Sequence, residues 1–222
     1  MGGYRMKKFA FVSDFDGTLS SKDFYHIIIE KYMGDEGKKL YNEWKKTKKI
    51  NVEFLNIVFG STNLSEKEIY EEIVQIPLDR YAKDFINKIK ENNGDFYIVS
   101  AGTSYYIKIL LEHYEIKDVP VISMEGVYSN GGIKIIPDPN SEYFSEVFGL
   151  DKRKVVESIK RNYDYIIFAG DSEPDLEAAK TADLVYARSE LAELLRKENI
   201  NFTVFSDFKE IEKDLTERGI LI

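Results

Sequence analysis

The sequence contains no cysteine and only two histidines, His26 and His113. The first absence excludes disulfides, zinc thiolates and thiol nucleophiles. The second leaves too few imidazoles for a multi-histidine metal centre, and neither histidine is expected to do chemistry. No apolar run approaches membrane-spanning length. The amino terminus, Met1-Gly2-Gly3-Tyr4-Arg5-Met6-Lys7-Lys8, leads into the first apolar run without a signal segment, so a cytoplasmic protein without a membrane partner is expected. No Lys/Arg cluster is sustained and the net charge is -8. That argues against nucleic acid, because neutralised phosphates supply most of that affinity. A small phosphorylated metabolite stays open as a partner, since one local positive site suffices to hold it. Internal repeats and low-complexity segments are also missing.

What is present is enough apolar residue for a sizeable core: 43% hydrophobic, 14% aromatic, over 222 residues. The length suggests one domain with an insertion, or two small ones. The organising stretch is Phe9-Ala10-Phe11-Val12-Ser13-Asp14-Phe15-Asp16-Gly17-Thr18-Leu19. A short apolar run bounded by a turn signal reads as a buried strand. Asp14 and Asp16 then lie just past its C-terminal end, the edge where open α/β sheets bind ligands. On an extended segment, residues i and i+2 point the same way. One acid can therefore bind a metal and attack while the other carries a proton. Asp16-Gly17 also reads as a plain turn after a strand.

From Leu19 the period becomes helical. Phe24, Ile27, Ile28 and Tyr32 open the pattern; Leu40, Trp44, Phe54, Ile57, Val58, Ile69 and Ile73 continue it, and Ser65-Glu66-Lys67-Glu68 caps the last helix. Four short helices and no strand are expected over residues 20–78. A helix from Tyr81 leads to the strand Asp95–Thr103, and a helix carrying Tyr106 to His113 follows. A short strand is expected at Val119–Ile122, a hairpin around Asn130-Gly131, a loop from Pro137 to Ser145 and a helix from Lys152 to Arg161. Tyr165–Asp175 is a third apolar run ending in acids; later strands are expected at Leu184–Ala187 and Phe202–Phe205. Strands alternating with helices imply a parallel sheet covered on both faces.

Three strands thus end in polar residues suited to one pocket: Asp14/Asp16, Ser100 and Asp171/Asp175. The lysine-rich start Asp151-Lys152-Arg153-Lys154 precedes the third. The ordered set Asp-x-Asp-Gly-Thr, strand-Ser, Lys and Gly-Asp-Ser-x-x-Asp resembles the haloacid-dehalogenase (HAD) superfamily of phosphatases over essentially the whole chain. The insertion between the first two motifs resembles the phosphoserine-phosphatase branch. Within it, Tyr165 to Arg188 resembles methionine-salvage phosphatases. The resemblance implies an α/β fold: a Rossmann-like three-layer parallel-sheet core (1–19 and 79–222) with an inserted helical (C1-type) cap (20–78).

It also implies roles. Asp14 is the nucleophile, forming an aspartyl phosphate that water later hydrolyses. Asp16 is the general acid and base, and its main-chain carbonyl joins Asp14 and Asp171 around Mg²⁺, a cation that favours oxygen ligands. Thr18 orients Asp16. Ser100 and the backbone N–H groups of Ala101 and Gly102 hold the phosphoryl oxygens. Lys152, rather than its rival Lys154, stabilises charge. Asp175, with Ser172, stands behind the metal, holding a metal-bound water or the lysine; an acid favoured by a helix N-terminus is the other reading of Asp175.

The chain departs from these branches in places. No cysteine precedes Lys152, and Asp79-Arg80-Tyr81 stands where phosphoserine phosphatases have Pro-Gly. Asp23 occupies the place of their substrate-binding Glu, although a helix-start acid is the favoured reading. Tyr25, His26, Tyr32 and Trp44 are candidate pocket residues that read more readily as packing at helical spacing. The tract Glu43-Trp44-Lys45-Lys46-Thr47-Lys48-Lys49 reads as a solvated helix face. The expected activity is Mg²⁺-dependent hydrolysis of a small phosphomonoester, phosphoserine-like or a methionine-salvage enol phosphate. A phosphotransferase, a phospho-Asp switch and a non-catalytic phosphate-binding regulator are the alternatives on the same fold.

Overall fold

The run Phe9–Ser13 forms β1, buried along its entire length in the computed structural model. That model describes residues 8–47 and 49–222; the amino-terminal reading on Met1–Lys7, and Lys48 of the basic tract, lie outside the described residues. Strands β2 (Asp95–Thr103) and β7 (Tyr165–Gly170) flank β1 in parallel, placing Phe11 beside Phe96 on one side and Ile167 on the other. With β3 (Val121–Ser129), β4 (Gly132–Ile136), β8 (Leu184–Ala187) and β9 (Thr203–Val204) the sheet runs β4-β3-β2-β1-β7-β8-β9. All its pairs are parallel except β3 with β4. Chain order reverses at β1, so a crevice opens at its C-terminal end.

Helices cover both faces because each turns one apolar stripe inward. On α5 (Ala82–Glu91) the stripe is Phe85, Ile86 and Ile89. Phe11 meets Phe85 edge-on at 4.9 Å, stacks on Phe96 at 5.3 Å and lies 6.3 Å from Phe208 of α10 (Phe208–Glu217). Burying each such ring contributes about 1.5–3 kcal/mol. Helix α7 (Lys152–Lys160) packs on β1 and β2, and α8 (Leu176–Thr181) on β7 and α7. This is the Rossmann-like, three-layer α/β architecture that the strand–helix alternation implied.

Among the described residues, four α-helices and no strand intervene between β1 and α5: α1 (Phe24–Ile28), α2 (Gly34–Thr47), α3 (Val52–Gly60) and α4 (Glu66–Ile73). Asn51 caps α3 by accepting from Phe54 N–H at 3.1 Å, and Ser65 with Glu68 forms a capping box on α4. An isolated antiparallel bridge joins Ser20 to Leu78 where the chain leaves and re-enters the sheet layer. Helix α3 and the loop after it sit on the β3–β4 hairpin, and α4 packs on α6 (Ser104–His113). Asn56 of α3 exchanges two hydrogen bonds with the Ile135 backbone, and both Thr62 Oγ1 and Leu64 N–H donate to Gly131 O.

Local differences from the sequence reading have plain causes. The short strand at Val119–Ile122 and the first arm of the hairpin are one nine-residue strand, β3. Its first half pairs with β2 and its second with β4, and the polar residues between the apolar runs masked that continuity. The loop from Pro137 to Ser145 contributes β5 (Phe144–Ser145), which pairs with β6 (Gly149–Leu150). The last strand, at a sheet edge, shrinks to two residues. Helix α9 spans Ser189–Lys197. Among the described residues, no helix is long and apolar enough to cross a membrane.

Candidate active site

Asp14 follows β1 directly, in extended conformation, with its N–H donating to Ala169 O of β7 at 2.9 Å. Gly17 then takes a left-handed turn at φ 75°, and a Cβ there would lie 2.4 Å from Asp171 Oδ2. Only glycine meets both demands. Arg188 fastens the turn from the other side: Nε donates to Gly17 O at 2.8 Å, and Nη2 to Gly17 O and Thr18 O at 2.5 and 2.8 Å. Sequence reasoning gave Arg188 no role beyond its place in a resembling stretch, because its partners lie some 170 residues away.

Lys152 starts α7, yet its ammonium points inward and is 3% exposed. It donates to Asp14 Oδ1 at 2.5 Å and to Asp175 Oδ1 at 2.6 Å. Burial alone would discharge this lysine, but the two carboxylates hold it above its ordinary range. The rival, Lys154, is exposed and donates to Phe144 O. Asp175 is fully buried, and its Oδ2 accepts from Asp171 N–H and Ser172 N–H, both at 3.0 Å. Both its oxygens are thereby engaged.

Asp16 faces the same cavity. Its Oδ2 accepts from Tyr106 Oη at 2.5 Å and lies 3.5 Å from Ser100 Oγ, while its Oδ1 accepts from Phe24 N–H at 3.3 Å. Two expectations need correction here. Thr18 does not orient Asp16 and does not line the cavity. It is fully buried and donates to Asp171 Oδ1 at 3.3 Å, because the left-handed Gly17 turns it away from the face that Asp16 occupies. The N–H of Gly102 is not directed at the cavity either; it donates to Ser100 Oγ at 2.9 Å, as a hydroxyl two residues back closes a local turn. Ser100, Ala101 and Gly102 do line the cavity.

Burial, helped by the charge of Asp23, lifts Asp16 from 3.8 to about 7. Burial, helped by Asp175, lifts Asp171 from 3.8 to about 8. Asp14 is raised as well, burial and Asp175 outweighing the attraction of Lys152. Oxygen atoms of Asp14, Asp171 and Asp175 lie within 4.8 Å of one another. The donors are all oxygen, and their charge exceeds what Lys152 balances, which suits a hard divalent cation such as Mg²⁺. With Asp175 engaged by Lys152 and backbone, Asp14 and Asp171 are the carboxylates left to hold it.

A pH prediction follows from the direction of these shifts. Between about pH 4 and about pH 8 Asp16 and Asp171 hold more protons in the folded chain than in the unfolded one. The stabilising contribution of these acids is full below 3.8 and is lost as pH rises toward the raised values. A cation needs the deprotonated carboxylates and stabilises them. In EDTA the melting temperature is expected to fall from about pH 5 to about pH 8, and added Mg²⁺ to raise it more at the higher pH. Equal Mg²⁺ shifts at both pH values in thermal unfolding would contradict this.

The helices over the sheet edge close a cavity of about 330 Å³. Asp23 precedes α1 but makes no side-chain capping bond. It stands at the N-terminus of α1 and also lines the cavity, accepts from Tyr25 and is raised by burial. Tyr25 and His26 also line the cavity, and burial lowers His26. Tyr32 and Trp44 pack instead: Tyr32 donates to Glu72 at 2.7 Å and Trp44 Nε1 to Lys49 O at 2.9 Å. The basic tract is not simply a solvated face. Lys45 pairs with Glu190 of α9 at 2.7 Å, and Lys49 pairs with Glu173 just beyond β7. Both pairs bridge the helical insertion to the sheet layer, a link between distant residues that charge spacing does not reveal.

A family model described as haloacid dehalogenase-like hydrolase matches residues 11–180. The 2-hydroxy-3-keto-5-methylthiopentenyl-1-phosphate phosphatase of Bacillus cereus is 29% identical over 211 residues, spanning 91% of this chain and 93% of the relative. The Bacillus anthracis protein of the same name matches to the same extent. Among solved structures, a substrate-bound phosphoserine phosphatase superposes with a TM-score of 0.71 at 20% identity, covering 93% of this chain and 98% of the other. A phosphoserine phosphatase from T. onnurineus gives 0.64 at 16%, with 95% of each chain covered. At these identities the structural likeness is one of fold.

Proposed function

The chain belongs to the haloacid dehalogenase-like hydrolase family and is a phosphoric monoester hydrolase; on that premise we propose that it hydrolyses a small phosphomonoester through an aspartyl phosphate on Asp14. The observation that carries this reading is the convergence of Asp14, Asp16, Ser100, Lys152 and Asp171 on one cavity roofed by the inserted helices. Residues 20–78 act as the cap over the core formed by 1–19 and 79–222.

Asp14, steered by the Lys152 ammonium, attacks phosphorus. As the bond from phosphorus to the leaving oxygen breaks, Asp16 gives that oxygen its proton. Asp16 then takes a proton from water, which attacks phosphorus, breaks the bond to Asp14 and releases inorganic phosphate. An acid held near 7 suits both tasks at neutral pH. Lys152 and Ser100 hold the charge that spreads over the transferring oxygens. Asp14, the Asp16 carbonyl and Asp171 would hold Mg²⁺, which would supply further charge neutralisation there. Asp175 keeps Lys152 in place, with Ser172 beside it.

The relatives' names supply two substrate candidates, the methylthiopentenyl phosphate and phosphoserine. The cap side of the cavity presents Asp23 beside Tyr25 and Tyr41, with apolar Ile50 and Leu55 beyond. Inorganic phosphate release from a panel of small phosphomonoesters, with Mg²⁺ and with EDTA, tests the proposal. The panel contains both candidates together with phosphocholine, phosphoethanolamine, sugar phosphates and nucleoside monophosphates. Mg²⁺-dependent release from at least one member is expected. No release from any member, with Mg²⁺ shown to bind, would sink it.

A further inference from the structure

We propose that Tyr106 is a positioning residue for the reaction: its phenol fixes the carboxyl of Asp16 in the orientation from which Asp16 exchanges a proton with the leaving oxygen. The inference rests on the phosphatase reading above. Tyr106 sits in the first turn of α6, is 2% exposed, and donates to Asp16 Oδ2 at 2.5 Å. The other contacts of that carboxyl are longer, at 3.3 Å from Phe24 N–H and 3.5 Å from Ser100 Oγ. The hydroxyl of the Asp-x-Asp-Gly-Thr motif, Thr18, is turned to Asp171.

Two features show that the placement is built. A Cβ on Gly102 would lie 1.9 Å from the Tyr106 hydroxyl and 3.0 Å from Asp16 Oδ2. The phenol can occupy this spot only because residue 102 has no side chain. The ring is also wedged from two sides, 6.1 Å from Phe15 beside Asp16 and 5.3 and 6.1 Å from Phe24 and Phe59 of the inserted helices. Its position therefore depends on those helices being seated.

The phenol is the donor in this contact, and the proton that moves in the reaction is the one on Asp16. When Asp16 passes its proton to the leaving oxygen, the anion left behind still accepts from Tyr106. A hydrogen bond to a charged acceptor is stronger than one to a neutral acid, so the contact favours the transferred state. With Oδ2 held by the phenol at 2.5 Å, Oδ1, whose contact from Phe24 N–H is the longer one at 3.3 Å, is the atom that exchanges the proton.

The test is Tyr106→Phe, which removes one oxygen and keeps the ring. The readout is kcat/KM, which reports the steps through phosphoenzyme formation, on two kinds of ester. An alkyl phosphate needs a proton on its leaving oxygen; 4-nitrophenyl phosphate does not. Tyr106→Phe is expected to lower kcat/KM about 10- to 100-fold on the alkyl ester and less than about threefold on the aryl ester. In an Asp16→Asn background Tyr106→Phe is expected to add nothing, because the two act as one unit. An equal loss on both esters would make Tyr106 merely structural and overturn the inference, as would no loss on either. The alkyl ester is the panel member that wild-type protein cleaves best; wild-type protein that cleaves no member of the panel overturns the phosphatase reading, and this inference with it.

Discussion

Asp14→Asn is expected to reduce phosphate release by about 10⁴-fold or more while leaving the fold intact. The amide is neutral and a poor nucleophile, so no acyl phosphate forms at useful rates. Shape and size barely change, and the amide oxygen can still accept from Lys152. The substitution also removes a carboxylate whose charge is opposed by both Asp175 and Asp171. Melting should therefore shift little, and the loss reads as chemistry rather than unfolding. Two measurements check it: steady-state phosphate release on the substrate found by the panel, and intact mass of the variant to exclude deamidation back to Asp. A peptide carrying Asp14 should gain one phosphoryl group when wild-type protein is quenched during turnover, and the variant should not. Wild-type turnover by undeamidated Asp14→Asn would remove Asp14 from the mechanism.

Much of this arrangement is legible in the chain because strand ends announce themselves. An apolar run that stops at Asp14 or Asp171 places that residue just past its strand, Ser100 lies within the C-terminal half of β2, and a parallel sheet brings those strand ends together. Lys152 is different. Helical spacing marks Val155 and Val156 as core, but whether the lysine one turn earlier points in or out is decided by two buried carboxylates 23 and 138 residues away. Thr18 and Asp16 are two residues apart, yet the left-handed Gly17 separates their faces, so the contact between them that the resemblance implied gives way to one from Thr18 to Asp171. Tyr106 lies in the apolar stripe of α6 and reads as core, which it also is; only the approach that Gly102 permits turns its hydroxyl into a partner for Asp16. The bridges from Lys45 to Glu190 and from Lys49 to Glu173 pair residues whose proximity is set by how the cap docks, and no local pattern encodes that.

Lys152→Met should lose activity and stability together, and the two losses should separate under a second substitution. Methionine fills a similar volume but leaves Asp14 and Asp175 buried without the ammonium between them. Removing one member of a buried ionic cluster costs about 3–5 kcal/mol, which in a chain of this size corresponds to a drop of roughly 6–20 °C in melting temperature. Phosphate release should fall about 10²–10³-fold, the loss typical of one charge-stabilising donor. Because the folded-state lysine is held above 10.5, its stabilising contribution is full below that value and is lost only as pH rises through the raised one. Across neutral pH the wild-type ammonium is therefore constant. The variant is not: Asp14, already raised by burial and by Asp175, can relieve the repulsion by taking up a proton, so the destabilisation should be smaller near pH 6 than near pH 8. Adding Asp175→Asn removes one of the stranded charges while keeping an oxygen for the Asp171 and Ser172 N–H groups. The double variant should regain part of the lost melting temperature and none of the lost turnover. If Lys152→Met melted like wild type at both pH values, the ammonium would not be what holds these carboxylates. If the double variant recovered turnover along with stability, Lys152 would serve the fold and not the phosphoryl group.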